Sequence, residues 1–267
     1  MLNDTASHPS TWITPEEREI ASAVSNISGP SPLERARAVG EGLSGLDSSF
    51  IQRAGAAGLY GRIVGDETVT RASILAEQWG RAASPEPWVE TNVVIETLSR
   101  AEPVPGRENM IKDLIEGREL ASWASNDLPG YWGREDAVRV EVVDGGFVLN
   151  GDMAAVPNAD GVDWILLAAH DAESVSHFLL PSKTDGVSFE PLENMDITRP
   201  RLNVRLDNVR LGESALVGAL GGAPAEITRQ VQVAIPLAVS QSIGAMRAII
   251  DIANAHARSR IAFGRPI

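Results

Sequence analysis

The sequence predicts an α+β protein: an N-terminal α-helical domain (residues 1–122), a middle antiparallel β sandwich or barrel (123–218), and the start of a C-terminal helical bundle (219–267). Three observations carry this expectation. Up to residue 122, apolar residues recur at helical spacing between Gly- and Pro-rich breaks. From AVRVEVV onward the period shortens to that of strands, and after Gly218 it lengthens again.

The first helix is signalled by TWITPEEREIASAVSNI, with Thr14 as N-cap, Pro15 at the first helical position and Glu17 closing a capping box. Ile20, Val24 and Ile27 then follow on one face. PLERARAVGEGL, RASILAEQWGRAA and ENMIKDLIEGRELASW continue as helix, divided by SGPSP, SPEP and AEPVPGR. The β region opens with a hairpin about Asp144-Gly145-Gly146, since Gly adopts positive φ at little steric cost. WILLAAH, SVSHFLLP, VSFEPLE and RLNVRLDNVRL supply further short strands. In the last of these, alternation puts Leu202, Val204 and Leu206 on a buried face and Arg201, Asn203, Arg205 and Asp207 on a solvated one.

A long helix is expected from Ile227 to Arg260. Leu237, Ile243, Met246 and Ile250 are among its apolar positions, and Ala234, Ala238, Gly244, Ala245 and Ala248 permit close helix contact. Apolar around much of its circumference, it calls for a bundle supplied by another chain or by sequence downstream. Gly264 is expected to terminate it, and the closing HARSRIAFGRPI reads as an interruption.

Composition narrows the function. With 23 Lys plus Arg against 36 Asp plus Glu, the net charge of -13 opposes binding to nucleic acid or an anionic membrane. No cysteine is present, so disulfides, thiolate metal sites and cysteine nucleophiles are excluded. Four histidines, at 8, 170, 177 and 256, are too scattered to suggest a metal site. Apolar runs such as WILLAA are short for a bilayer, and the N-terminus lacks a signal pattern, so a cytoplasmic protein is expected. Walker, GxSxG, dinucleotide and HExxH patterns do not occur. Trp79, Trp88, Trp123, Trp132 and Trp164 read as core or interface residues.

Several weak motifs in order nevertheless resemble one family. RASILAEQWGR, IKDLIEGRELASWA, DGGFVLNGDMAAVPNADGVDWILLAA, DITRPRLNVRLDNVRLGESALVG and the final helix ending in R-x-x-F-G-x-P-I are similar to successive segments of the acyl-CoA dehydrogenases. The resemblance implies an FAD-dependent oxidoreductase that takes two hydrogens from the α and β carbons of an acyl-CoA thioester. It also implies a homo- or hetero-oligomer with an acyl-CoA dehydrogenase-like subunit, and an electron-transfer protein that reoxidises the flavin.

The resemblance points to five cofactor-binding positions. Ser125 and Gly130 match the hydroxyl and glycine of the family's flavin loop, although SNDLPGYW also suits a surface turn. Asn158 ends the strand that faces the flavin. Arg260 matches an arginine that reaches the FAD pyrophosphate of a neighbouring subunit, or it stabilises a helix C-terminus, and Phe263 accompanies it. Other positions depart from the family. Ala155 and Pro157 stand where a stacking Trp and a Thr hydroxyl are usual, and Ala234 occupies one of two positions for the catalytic base. These departures leave a second reading open: a non-catalytic partner subunit or interaction protein.

Overall fold

The structure, a computed structural model, describes residues 14–28, 32–42, 45–63, 69–125, 138–196 and 198–267. Six helices come first: α1 (Pro15–Ser28), α2 (Pro32–Gly40), α3 (Ser48–Ala56), α4 (Val69–Arg81), α5 (Trp88–Arg100) and α6 (Arg107–Ile115). Pro15 opens α1 as expected. α3 and α5 are additions to the expected set. Asp47 caps α3 by accepting hydrogen bonds from the Ser49 and Phe50 amides, both at 3.0 Å. α5 is buried along most of its length, so it shows no polar stripe from which a period could be read.

One expected helix is corrected. The stretch expected to stay helical to Trp123 leaves helix after Ile115, because Gly117 takes φ +67° and lies against the Ile51 carbonyl, where a Cβ would sit 2.4 Å away. Ala121–Trp123 then forms β1, entirely buried.

The strands β2 (Val138–Val143), β3 (Gly146–Pro157), β4 (Trp164–His170), β5 (Val175–Pro181), β6 (Val187–Leu192), β7 (Arg201–Gly212) and β8 (Leu216–Val217) join in the order β6-β7-β3-β2-β4-β5-β8. β2 and β3 form the expected hairpin, with Val143 opposite Gly146. Most pairings are antiparallel, as expected, but β1 and β2 each run parallel to β4. The reason is that β2 and β4 lie side by side with a single reversing strand, β3, between them in the chain. The sheet is also curled. Gly212 and Leu216 can be at most about 14 Å apart along the chain, whereas a flat sheet would set β8 about 24 Å from β7, at five strand spacings. Leu202, Val204 and Leu206 of β7 face inward, as their alternation predicts.

α7 (Ala223–Ser259) is 37 residues long and packs on α4 and α5. It is long and apolar enough to cross a membrane by length and composition, but one side of it is buried in this fold. Its crossing with α4 is a contact of backbones. A Cβ on Gly80 would lie 1.9 Å from the Gln241 carbonyl oxygen, and one on Gly244 would lie 1.8 Å from that of Glu77. Ion pairs Arg81–Asp251 and Arg247–Glu77 flank the crossing. Beneath it Trp79 stacks on Trp88 at 5.5 Å and meets Phe50 and Tyr60.

The helical part meets the sheet at His177 of β5. With Thr97 and Arg100 of α5 and with Gly222 and Glu226 at the start of α7, it lines a cleft of about 300 Å³. The ring is 2% exposed, and Nε2 has no hydrogen-bond partner among the described residues. Burial pushes its pKa down to about 4.

Two predictions follow from this packing. Gly80→Ala and Gly244→Ala should each lower the urea-unfolding free energy by more than about 2 kcal/mol, because forcing the two backbones apart outweighs the ~1 kcal/mol gain in helix propensity. Gly212→Ala, with an ordinary φ and open space around it, should stay within about 0.5 kcal/mol. The second concerns His177. Its unfolded form takes up a proton near 6.5 and its folded form only near 4, so acid favours unfolding across that window. Stability should fall there with a His177 contribution of up to about 1.4 kcal/mol per pH unit. The His177→Gln chain should lose that component, as read from urea midpoints at a series of pH values.

Candidate functional site

A cleft of about 780 Å³ opens between the connection from α2 to α3, the turn after β3 and the connection from β6 to β7. Asn158 lines it. The strand ends just before it, and Asn158 turns the chain at φ +48°, a conformation that Asn tolerates well. Its amide donates to the Pro200 carbonyl (2.9 Å), its carbonyl accepts from Gly161 (2.9 Å), and its side chain is 4% exposed. Asp160, Glu193 and Asp196 make the rim acidic, with Arg201 as the basic counterpart.

Three residues earlier, β3 bulges between Met153 and Val156, which leaves Ala155 at φ +53°. Its amide donates to Asn203 Oδ1 (3.3 Å), and its carbonyl accepts from Arg201 Nη1 (3.0 Å). Pro157 is buried, and its carbonyl accepts from Ser122 Oγ at 2.6 Å. Ala155 and Pro157 present neither an aromatic face nor a hydroxyl. Ser125 is half-buried just after β1, its amide donating to the Trp123 carbonyl at 2.9 Å. Gly130 lies outside the described residues, as do Tyr131 and Trp132.

A second polar arrangement lies where α5, β1 and α7 meet. Trp123 Nε1 donates to Gln230 Oε1 (3.1 Å), and Gln230 Nε2 donates to Thr97 Oγ1 (3.2 Å). Arg229 brings both Nε and Nη2 within 2.6 Å of Glu96 Oε1. Glu226 nearby has its carboxyl pushed up by burial and then by the Glu96 charge, against the pull of Arg100 and Arg229. Its linkage sign is opposite to that of His177: a carboxyl raised in the fold loses stability as pH rises through its folded pKa. Ala234, one turn past Gln230, is buried and carries no ionisable group. The junction thus holds a paired charge and a buried amide, with an alanine where the resemblance would put a base. Sequence inspection missed it because Thr97 and Gln230 are 133 residues apart and each is ordinary in its own segment.

At the far end, α7 stops at Ser259, and the Arg260 amide bonds back to His256 at 2.8 Å. Gly264 does not terminate the helix. Phe263 and Gly264, at φ +53° and +76°, form the two-residue turn of a small hairpin, β9 (Ile261–Ala262) with β10 (Arg265–Pro266). Phe263 is 104% exposed at its tip, and the Arg260 side chain is exposed with no ion pair among the described residues. Ile243, Met246, Ile249, Ile250 and Ile252 continue an exposed apolar face along α7 towards the hairpin. Neither Arg260 nor Phe263 lines the cleft at Asn158.

No family model matches the chain. Among characterised relatives, it is 27% identical over 170 residues to the 3-(aryl)acrylate reductase of Clostridium sporogenes, a match covering 60% of this chain and 45% of that one. It is 25% identical over 266 residues to the acyl-CoA dehydrogenase IpdE2 of Mycolicibacterium smegmatis, covering 94% of this chain and 68% of that one. The first match thus spans less than half of the relative's length. Among solved structures, the glutaryl-CoA dehydrogenase of Mycobacterium smegmatis superposes with a TM-score of 0.83 at 19% identity, over 97% of this chain and 69% of that one. The butyryl-CoA dehydrogenase of Megasphaera elsdenii superposes at 0.81 and 15% identity, over 95% and 72%. The helices, the curled sheet and the long closing helix of this chain together make the acyl-CoA dehydrogenase family fold.

Proposed function

We propose that the chain is part of an FAD-dependent oxidoreductase of the acyl-CoA dehydrogenase type, cytoplasmic and oligomeric, acting on an acyl-CoA thioester. An electron-transfer protein would reoxidise its flavin. The observation that carries this reading is the element order together with α7 leading into the Arg260–Phe263–Gly264 hairpin. The three regions, 1–122, 123–218 and 219–267, would act as helical wall, flavin-facing β domain and first bundle helix.

The residues present fit part of the cofactor. Arg260 is exposed and free of ion pairs among the described residues, which suits a contact with a pyrophosphate held against a second subunit. Ser125 and Gly130 would supply a hydroxyl and a backbone approach at the ring. Ala155 and Pro157 supply no ring contact, and the rim at Asn158 carries three carboxylates. When bound, FAD supplies the hydride acceptor. This chain's own groups would bind and orient.

Ala155, Pro157 and Ala234 favour a second reading in which the chain is a non-catalytic subunit that completes the flavin site of a competent homologue. The two readings separate when the protein is purified alone and after co-production with an acyl-CoA dehydrogenase-like subunit. Flavin absorbance and acyl-CoA turnover from the chain alone support the first; flavin retained only in the mixture supports the second. In either case Arg260→Ala should weaken flavin retention by about tenfold or more. No change on removing that arginine would exclude it from the site. The exposed face of α7 and the hairpin should also give a dimer or larger species by sedimentation velocity, and a well-behaved monomer would contradict the oligomeric reading.

A further inference from the structure

Arg107, at the first position of α6, is 5% exposed, yet no carboxylate pairs with it among the described residues. Its guanidinium donates to three backbone carbonyls, those of Glu102 (3.1 Å), Ser214 (3.3 Å) and Leu216 (2.9 Å). Two of the five N–H donors of its guanidinium have no acceptor among the described residues. Burial alone pushes its pKa down, with no neighbouring charge offsetting the desolvation. A buried charge without a counterion is an exception to a general rule, since such charges are paired.

Arg107 lines a cleft of about 380 Å³ between the start of α6 and the end of the sheet where β4, β5 and β7 come together. A second arginine, Arg210, lines it from the outward face of β7 and makes no ion pair among the described residues. None of the described lining residues is acidic. That is notable in a chain whose net charge is -13. The rest of the wall is mainly apolar: Met110, Trp164, Leu179 and Leu211. Trp164 turns its polar edge away, donating from Nε1 to Glu119 at 2.7 Å. A cleft of this volume with a largely apolar wall and a few convergent polar groups has the character of a small-molecule site. Ser125, Asn158, Ala234, Arg260 and Phe263 do not line it, so it does not depend on the oxidoreductase reading.

We propose that this cleft binds a small amphipathic carboxylate, its anionic head between Arg107 and Arg210 and its hydrocarbon body against Met110, Trp164 and Leu179. Both parts are needed. The arginines account for the sign of the head, because a carboxylate meets a guanidinium with short charge-assisted bonds. The wall accounts for the body, because water gains nothing from an apolar surface that a hydrocarbon can cover.

Octanoate is the probe, titrated by calorimetry and followed through the change in tryptophan fluorescence that Trp164→Phe should remove, with octan-1-ol and inorganic phosphate as comparisons. Saturable octanoate binding is expected below about 1 mM. Octan-1-ol should bind at least tenfold more weakly, and phosphate should not displace octanoate. Arg210→Glu should weaken octanoate at least tenfold, and Met110→Trp, which fills the cleft, should abolish binding. Neither change touches the carbonyl bonds of Arg107, and unchanged melting temperatures would show that both variants fold. Absence of saturation up to about 10 mM would overturn the proposal, as would equal affinity for octan-1-ol or effective displacement by phosphate. Octanoate affinity equal to wild type in both folded variants would overturn it too, placing the ligand elsewhere, including at the acyl site of the proposed dehydrogenase.

Discussion

The backbone crossing of α4 and α7 is the contact on which the rest of the molecule depends. Two glycines, one on each helix, let the carbonyls of Gln241 and Glu77 approach to distances that any Cβ would forbid. That approach seats α7 directly over the aromatic cluster of Trp79, Trp88, Phe50 and Tyr60. It also presents Gln230 and Arg229 to α5 and β1, where Thr97, Glu96 and Trp123 receive them. A helix displaced outward by even one methyl group would separate these partners and leave buried polar atoms unpaired. The small residues along α7 matter less as helix formers than as the absence of side chains at the crossing.

Buried charge is distributed in a consistent way. Glu96 is buried against Arg229, and Glu86 lies beside Arg35, itself set 3.9 Å above the Phe50 ring. Desolvation raises the Glu86 carboxyl, while Arg35 and Ser84 pull it down. Arg107 breaks the pattern: it is as buried as these groups but is held only by carbonyl dipoles. It also pins the start of α6 to the segment through which the chain passes from β7 to β8, so it serves the closure of the curled sheet. A structural cation and an electropositive wall are therefore the same residue.

The positions tied to the flavin by resemblance divide by location. Asn158 has a folding role of its own, since its positive φ and its bonds to Pro200 and Gly161 hold the turn after β3. Arg260 and Phe263 have no such internal duty. They stand on a hairpin at the end of a helix whose outer face is apolar and exposed. Ala155 is held in a strained conformation by Arg201 and Asn203, with a methyl group where the family has a ring.

Much of the fold was legible from local pattern. The first helix with its Pro15 start, the Asp144-Gly145 hairpin, the alternation of Leu202, Val204 and Leu206 and the length of α7 all follow from interactions between residues close in sequence. α5 was not legible because burial on all sides removes the periodic signal. The helical pattern of residues 108–123 misled because the contact that ends the helix, Gly117 against Ile51, is made by a residue 66 positions away. Pro236 would ordinarily interrupt a helix, yet α7 runs through it because packing on α4 and α5 outweighs one lost bond of a few kcal/mol. The sequence by itself determined the order and type of most elements and the departures of Ala155 and Pro157 from the motifs it resembles. The tertiary structure alone decided the glycine crossing, the Glu96–Arg229 and Trp123–Gln230–Thr97 junction, and the uncompensated Arg107. Each of these joins residues remote in sequence, and their pairing energy exists only once the chain has folded.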